Sequence, residues 1–161
     1  STGGHLSPEP GEVDRKLIDE RSDVATFTSK KAIKTMTIEG TPILQIEAKS
    51  DRETFDICVA LSIIKGSDEK VIQLSTGVLR VINNHISKKS IRTISMQPLL
   101  ADISPGDRIR LSISGSNWPA IGVNPGDEKQ NCGAPSPHCL VTTTTLYLRD
   151  SKFLIQPLFF K

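Results

Sequence analysis

Three histidines, His5, His85 and His138, are the chain's candidates for a general base. A serine nucleophile needs such a base beside an exposed hydroxyl, with a carboxylate to orient the ring. No G-x-S-x-G elbow occurs in the sequence. Ser114-Gly115-Ser116-Asn117 comes nearest, but it lacks the flanking glycines and follows a strand pattern. No catalytic residue is therefore assigned. Cys132-Gly133-Ala134-Pro135-Ser136-Pro137-His138-Cys139 brings two thiols and an imidazole together. Zinc pairs space their cysteines more closely, and a fourth ligand would have to come from far along the chain. No metal is assigned. A 132–139 disulfide and free thiols both stay open, and the redox compartment decides between them. Cys58 lies inside an apolar run and reads as a buried small hydrophobe.

Paired carboxylates for glycosidic chemistry must converge in a cleft. Asp51, Glu53 and Asp56 cluster at a strand start and read as a solvated turn. No glycine loop ending in lysine is present to cradle phosphate, and no cofactor is expected. Lys30-Lys31 and Lys88-Lys89 are isolated pairs of the kind found in solvated turns.

The elements that would position any of these groups are strands. The chain has 161 residues, enough for one domain, and it starts at Ser1 rather than Met, which reads as processing or as a piece of something longer. Ile, Val and Thr account for 39 residues, a composition that leans towards strand. Lys and Arg number 20 and Asp and Glu 18, so a net charge of +2 gives no electrostatic case for nucleic acid or an anionic membrane. Aromatic residues are only 4%, too few for a stacking platform. The apolar runs are too short for a membrane span and there is no signal peptide, which favours the cytoplasm.

Residues 1–22 are polar, carry Gly3, Gly4, Pro8, Pro10 and Gly11, and read as an extended lead-in with little helix. Residues 23–161 read as one domain. Strands are expected over 24–28, 32–38, 43–49, 55–64, 71–74, 78–82, 91–97, 108–114, 141–148 and 153–158. A break is placed at Gly40-Thr41-Pro42, turns at Lys65–Asp68 and Ser104–Asp107, and a long loop over 117–140. Phe55–Ile64 is apolar on both faces, the signature of a strand covered on both sides. About nine or ten short strands with long irregular connections suit an antiparallel jelly-roll β-sandwich.

Several of these segments, in order, resemble the C-terminal domain of the X-Pro dipeptidyl-peptidase and cocaine-esterase (CocE/NonD) serine hydrolases. Ile103–Pro119 is similar to that family's F-x-P-G-H-R-I-R-L-x-V-S-S-S-N-F-P, with Asp107 in place of the histidine. Ile72–Arg80 resembles its I-x-L-x-D-G-x-L-R pair, and Asn124-Pro125-Gly126 falls where it has N-x-N-T-G. Thr54-Phe55-Asp56-Ile57 stands loosely for D-T-D-F. Ile38-Glu39-Gly40 matches its V-T-G turn and Phe153–Leu158 its closing strand, while Asp127–Cys139 is this chain's own. The resemblance implies a galactose-binding-like jelly roll. It implies an accessory domain on an upstream α/β-hydrolase domain that cleaves ester or X-Pro peptide and amide bonds with a Ser-Asp-His triad. His5 and Leu6 match positions near the substrate-pocket rim. Arg108, Arg110 and Trp118 are candidates for the domain interface, and Tyr147 with Phe159 and Phe160 for a patch that the partner covers. A homo-oligomer is also compatible. The alternative is a free-standing carbohydrate-binding jelly roll, which the low aromatic content disfavours.

Overall fold

A computed structural model describes residues 14–83, 85–86 and 88–158. After one helical turn, α1 (Lys16–Asp19), come eight strands: β1 (Val24–Thr28), β2 (Met36–Ser50), β3 (Phe55–Ile64), β4 (Val71–Val81), β5 (Ser90–Ser95), β6 (Leu99–Ile103), β7 (Arg108–Ser114) and β8 (Thr144–Leu158). They form two antiparallel sheets, as the β-sandwich reading expects. One has the order β1-β7-β3-β4. In the other, β2 pairs with β8 on one side, and with β6 and then β5 on the other.

Alternation puts Phe55, Ile57, Val59 and Leu61 of β3 and Leu111 and Ile113 of β7 against Leu44, Ile46 and Ala48 of β2. A second cluster of Ile38, Ile63, Ile72 and Ile103 fills the other end of the sandwich. Every residue of β3 is buried. Its second face, from Asp56 to Ser62, is covered by the long loop and by the described part of the lead-in, residues 14–22. The lead-in is held there through charge. Asp19, with its side chain fully buried, lies 3.4 Å from Arg15 and 3.5 Å from Arg110. Arg15 donates to Gln73 at 2.7 Å. Burial lowers the Arg15 pKa against the opposing pull of Asp19.

Eight strands replace the nine or ten expected, because three expected breaks are irregularities inside long strands. At Gly40-Thr41-Pro42 the register shifts and β2 runs on. Gly40 takes a φ of 109°, and the neighbour on one side changes there from β6 to β5. The expected gap between 74 and 78 is a register shift opposite Leu61 and Ser62. Gly77 lies so close to the next sheet that a Cβ would stand 2.8 Å from the Ser95 carbonyl oxygen. Residues 148–151 bulge out of β8, which otherwise pairs with β2 along its length. β6 is an addition: Leu99, Ala101 and Ile103 pack inward while Leu100 is exposed.

The Ser104–Asp107 turn carries the position where the family has histidine. Asp107 accepts from the N–H groups of Gly66 at 2.9 Å and Ser104 at 3.0 Å, and its carboxylate lies 3.5 Å from Lys65 Nζ. Burial works to raise its pKa, but the two amides and the ammonium outweigh this and hold it below the ordinary value. A carboxylate depressed in the folded state stabilises above its unfolded pKa and loses that contribution as pH falls through the folded one. Asp107→Asn should therefore flatten the acid limb of stability, measured by urea unfolding from neutral pH to below the ordinary aspartate pKa. The wild type should lose more stability than the variant over that range.

Candidate functional site

β3 begins and β7 ends at the same end of the sandwich, and the 117–140 loop is carried there. Asp56, on the outward face of β3, is 3% exposed. Arg80 of β4, its cross-strand neighbour, donates to it in a two-pronged pair, Nε to Oδ1 at 2.9 Å and Nη2 to Oδ2 at 2.7 Å. The same Nη2 donates to the Gly122 carbonyl at 2.7 Å. Asn124 Nδ2 donates to Asp56 Oδ1 at 2.8 Å and to Thr54 Oγ1 at 2.9 Å. Thr54 in turn donates to the Val81 carbonyl. Asn124 Oδ1 accepts from the Gly126 N–H, and Gly126 holds a φ of 79° beside Leu140 and Thr142. Donating to the Asp56 carboxylate raises the Arg80 pKa.

Three separated segments that carry the family resemblance, around Asp56, Arg80 and Asn124, thus meet in one partly buried network centred on the buried Asp56. Its chemistry is that of a clamp. The carboxylate accepts three hydrogen bonds and holds the loop against the sheet. Reading Asp56 with Asp51 and Glu53 as a solvated turn was therefore wrong for Asp56; the other two are exposed. Asp51 caps the loop's exit by accepting from the Thr143 N–H at 2.8 Å, and Arg52 donates to the Val141 carbonyl at 2.9 Å. The signal was present in the strand register, which sets Asp56 opposite Arg80.

A recess of about 790 Å³ opens between the loop's return, 135–144, and the β1–β7 edge, with Ile57, Ile113 and Leu146 in its lining. The two described histidines, His85 and His138, are exposed on different loops. Among the described residues no three His, Cys, Asp or Glu side chains are placed as metal ligands would be. Cys132 and Cys139 are free thiols, and so is Cys58. Burial, with a smaller contribution from Asp56, pushes the Cys58 thiol up to about 12.

The sequence-derived interface residues are dispersed. Arg108 and Arg110 stand on β7 opposite Ile64 and Ser62, and Trp118 lies beyond the other end of that strand. Arg110 is turned to its own chain, towards Asp19 and Thr28. Arg108 pairs with the exposed Glu69 at 3.0 Å. Trp118 is half-buried where the long loop begins. Tyr147 lies beneath Lys89, whose Nζ is 3.7 Å from the ring centroid. His5, Leu6, Phe159 and Phe160 lie outside the described residues.

Two outcomes follow. Arg80→Met strands a buried carboxylate, and with Arg80 one-third exposed the expected loss is about 2 kcal/mol of unfolding free energy, measured in urea. With a thiol reagent at mildly alkaline pH, Cys132 and Cys139 should react in the native protein and Cys58 only after unfolding.

Comparison with known proteins agrees with this fold. No curated protein matches the chain. Among solved structures, an aminopeptidase from the marine sediment archaeon Thaumarchaeota archaeon is similar at a TM-score of 0.79 and 15% identity, over 90% of this chain and 27% of that one. An α-amino acid ester hydrolase is similar at 0.79 and 17%, over 88% and 26%. A CocE/NonD family hydrolase from Staphylococcus aureus is similar at 0.59 and 13%, over 84% and 30%. The chain thus spans about a quarter of the length of the first two structures. The sequence profile of the X-Pro dipeptidyl-peptidase C-terminal non-catalytic domain matches residues 4–153, and the chain belongs to that family.

Proposed function

We propose that this chain is the accessory C-terminal domain of a CocE/NonD-type serine hydrolase. Residues 1–22 are its entry and 23–161 its body. It packs on an upstream α/β-hydrolase domain that hydrolyses ester or X-Pro peptide and amide bonds. Its loops, with the His5-Leu6 stretch, help shape the substrate pocket.

The observation that carries this reading is the Asp56–Arg80–Asn124 clamp. It uses motif residues to hold a long loop in place, which is what a wall for a pocket built elsewhere requires. The same end of the sandwich exposes Ile82 (63%), Ile86 (55%) and Val141 (82%). Apolar side chains gathered there, with Trp118 nearby in sequence to the strand end, suit a surface that another domain covers. Arg108 begins β7 at the far end from that surface, so an acidic group that it meets in place of the exposed Glu69 belongs to a separate contact; Arg110 fixes the lead-in.

The test is binding in trans. The upstream hydrolase domain, produced separately, should bind this chain and gain activity on an X-Pro anilide or a simple ester. Val141→Asp and Ile82→Asp, both at exposed positions, should weaken that association at least about tenfold while leaving the unfolding midpoint unchanged. No association, or association indifferent to both variants, would contradict the reading.

A further inference from the structure

Two of the three thiols lie close in sequence on the long loop, Cys132 exposed and Cys139 half-buried. The ends of the segment between them are tied to one short stretch of chain. The Val123 N–H donates to the Gly133 carbonyl at 2.7 Å, and the Gly133 N–H donates back to the Val123 carbonyl at 3.2 Å. This antiparallel bridge sets Cys132 beside Asn124. The Leu140 N–H donates to the carbonyl of the next residue, Pro125, at 2.8 Å. Cys132 and the residue after Cys139 are therefore held at neighbouring positions of one segment, a step of about 3.4 Å. Glycines allow the close approach. A Cβ at Gly122 would stand 3.4 Å from the Cys132 carbonyl carbon, and one at Gly126 would stand 3.3 Å from Leu140 Cβ. Between the anchors the Cys139 N–H donates to the Ser136 carbonyl at 3.1 Å and turns the chain back.

The anchoring segment is itself fixed, since Asn124 is bound to Thr54 and Asp56. The Arg80 guanidinium of that clamp lies within electrostatic reach of Cys132. After Asp56, the Cys132 sulfur is next among the groups that raise the Arg80 pKa. An exposed sulfur near a fixed cation is the setting in which thiols exchange with disulfides. Cys58 is excluded, being buried with its thiol pushed up to about 12. Cys139 lines the recess of about 790 Å³, with Pro135, Ser136 and Leu140 of the same return.

We infer that Cys132 and Cys139 form a thiol–disulfide exchange site that takes a small anionic disulfide of the oxidised-glutathione type and closes to a 132–139 disulfide. The Cys132 thiolate attacks one sulfur of the small disulfide, whose S–S bond breaks and releases one small thiolate. The Cys139 thiolate then attacks the Cys132 sulfur of the mixed disulfide, and the second small thiolate leaves. Two protein thiols are oxidised, one small disulfide is reduced to two thiols, and the protons of Cys132 and Cys139 pass to the leaving thiolates. A disulfide takes Cα atoms about 4.4–6.8 Å apart, a span that the two anchors supply without movement of either sheet. The ring pins the loop's return along the recess. This site stands independently of the accessory role.

Intact mass of the reduced 161-residue chain, incubated with excess oxidised glutathione, tests it. The main product should be lighter by two hydrogens, carry no glutathione and, once unfolded, alkylate only at Cys58. Cys139→Ser should stop at one glutathione on Cys132. In the oxidised wild type, amide exchange at Gly133 and Leu140 should slow at least about tenfold, while β3 and β7 exchange as before. Glutathione on both cysteines with no ring, disulfide-linked dimers or an unchanged mass would overturn the inference. So would a ring that leaves exchange at Gly133 and Leu140 as it was. Should Cys139→Ser unfold, the wild-type mass and exchange decide alone.

Discussion

The side chains of β3 are buried on both faces of their sheet, while the facing sheet of the sandwich covers only one of them. This constraint governs the rest of the molecule. A third layer is needed over the outer face, and two segments of irregular backbone supply it: the lead-in at one end and the 117–140 loop at the other. Irregular backbone cannot be laid on a sheet by apolar contact alone, because its polar groups must find partners. Both segments are therefore anchored through charge, the lead-in by Arg15, Asp19 and Arg110 and the loop by Asp56, Arg80 and Asn124.

That arrangement explains why ionic groups stand where a sandwich would ordinarily be wet. Asp56 accepts three hydrogen bonds from two partners, and both of its oxygens are engaged in holding the loop. Asp107 caps a turn in the same manner. These buried carboxylates are spent on architecture, which accords with a family described as non-catalytic. The similar solved structures share the fold at 13–17% identity. What persists at such divergence is the sandwich fold.

Much of the fold was legible in the sequence. The period of two in Val24–Thr28, Phe55–Ile64 and Arg108–Ser114 gave β1, β3 and β7 with their observed bounds. The apolar second face of β3 announced the third layer. Local breakers misled where tertiary pairing absorbed them. Gly40 and Pro42 read as a stop, yet they form a shift within β2 because its neighbour changes there from β6 to β5. β6 was missed because Pro98 and Pro105 crowd its ends, although Leu99, Ala101 and Ile103 alternate correctly. The clamp was less legible. Asp56 sits three residues from Glu53 in a charged stretch, and only the pairing of β3 with β4 shows that its neighbour is Arg80. Arg110 was expected at a domain interface, and spacing could not show that it meets Asp19 of the same chain.

The central claim is that the Asp56 carboxylate holds the loop layer onto the sheet. Hydrogen–deuterium exchange on Asp56→Asn, compared with the wild type, tests it most directly. The account predicts faster exchange across 117–140, above all at Val123, Gly126 and Gly133, while β3 and β7 keep their protection. Unchanged exchange in that loop, or a loss of protection spread evenly over both sheets, would contradict it.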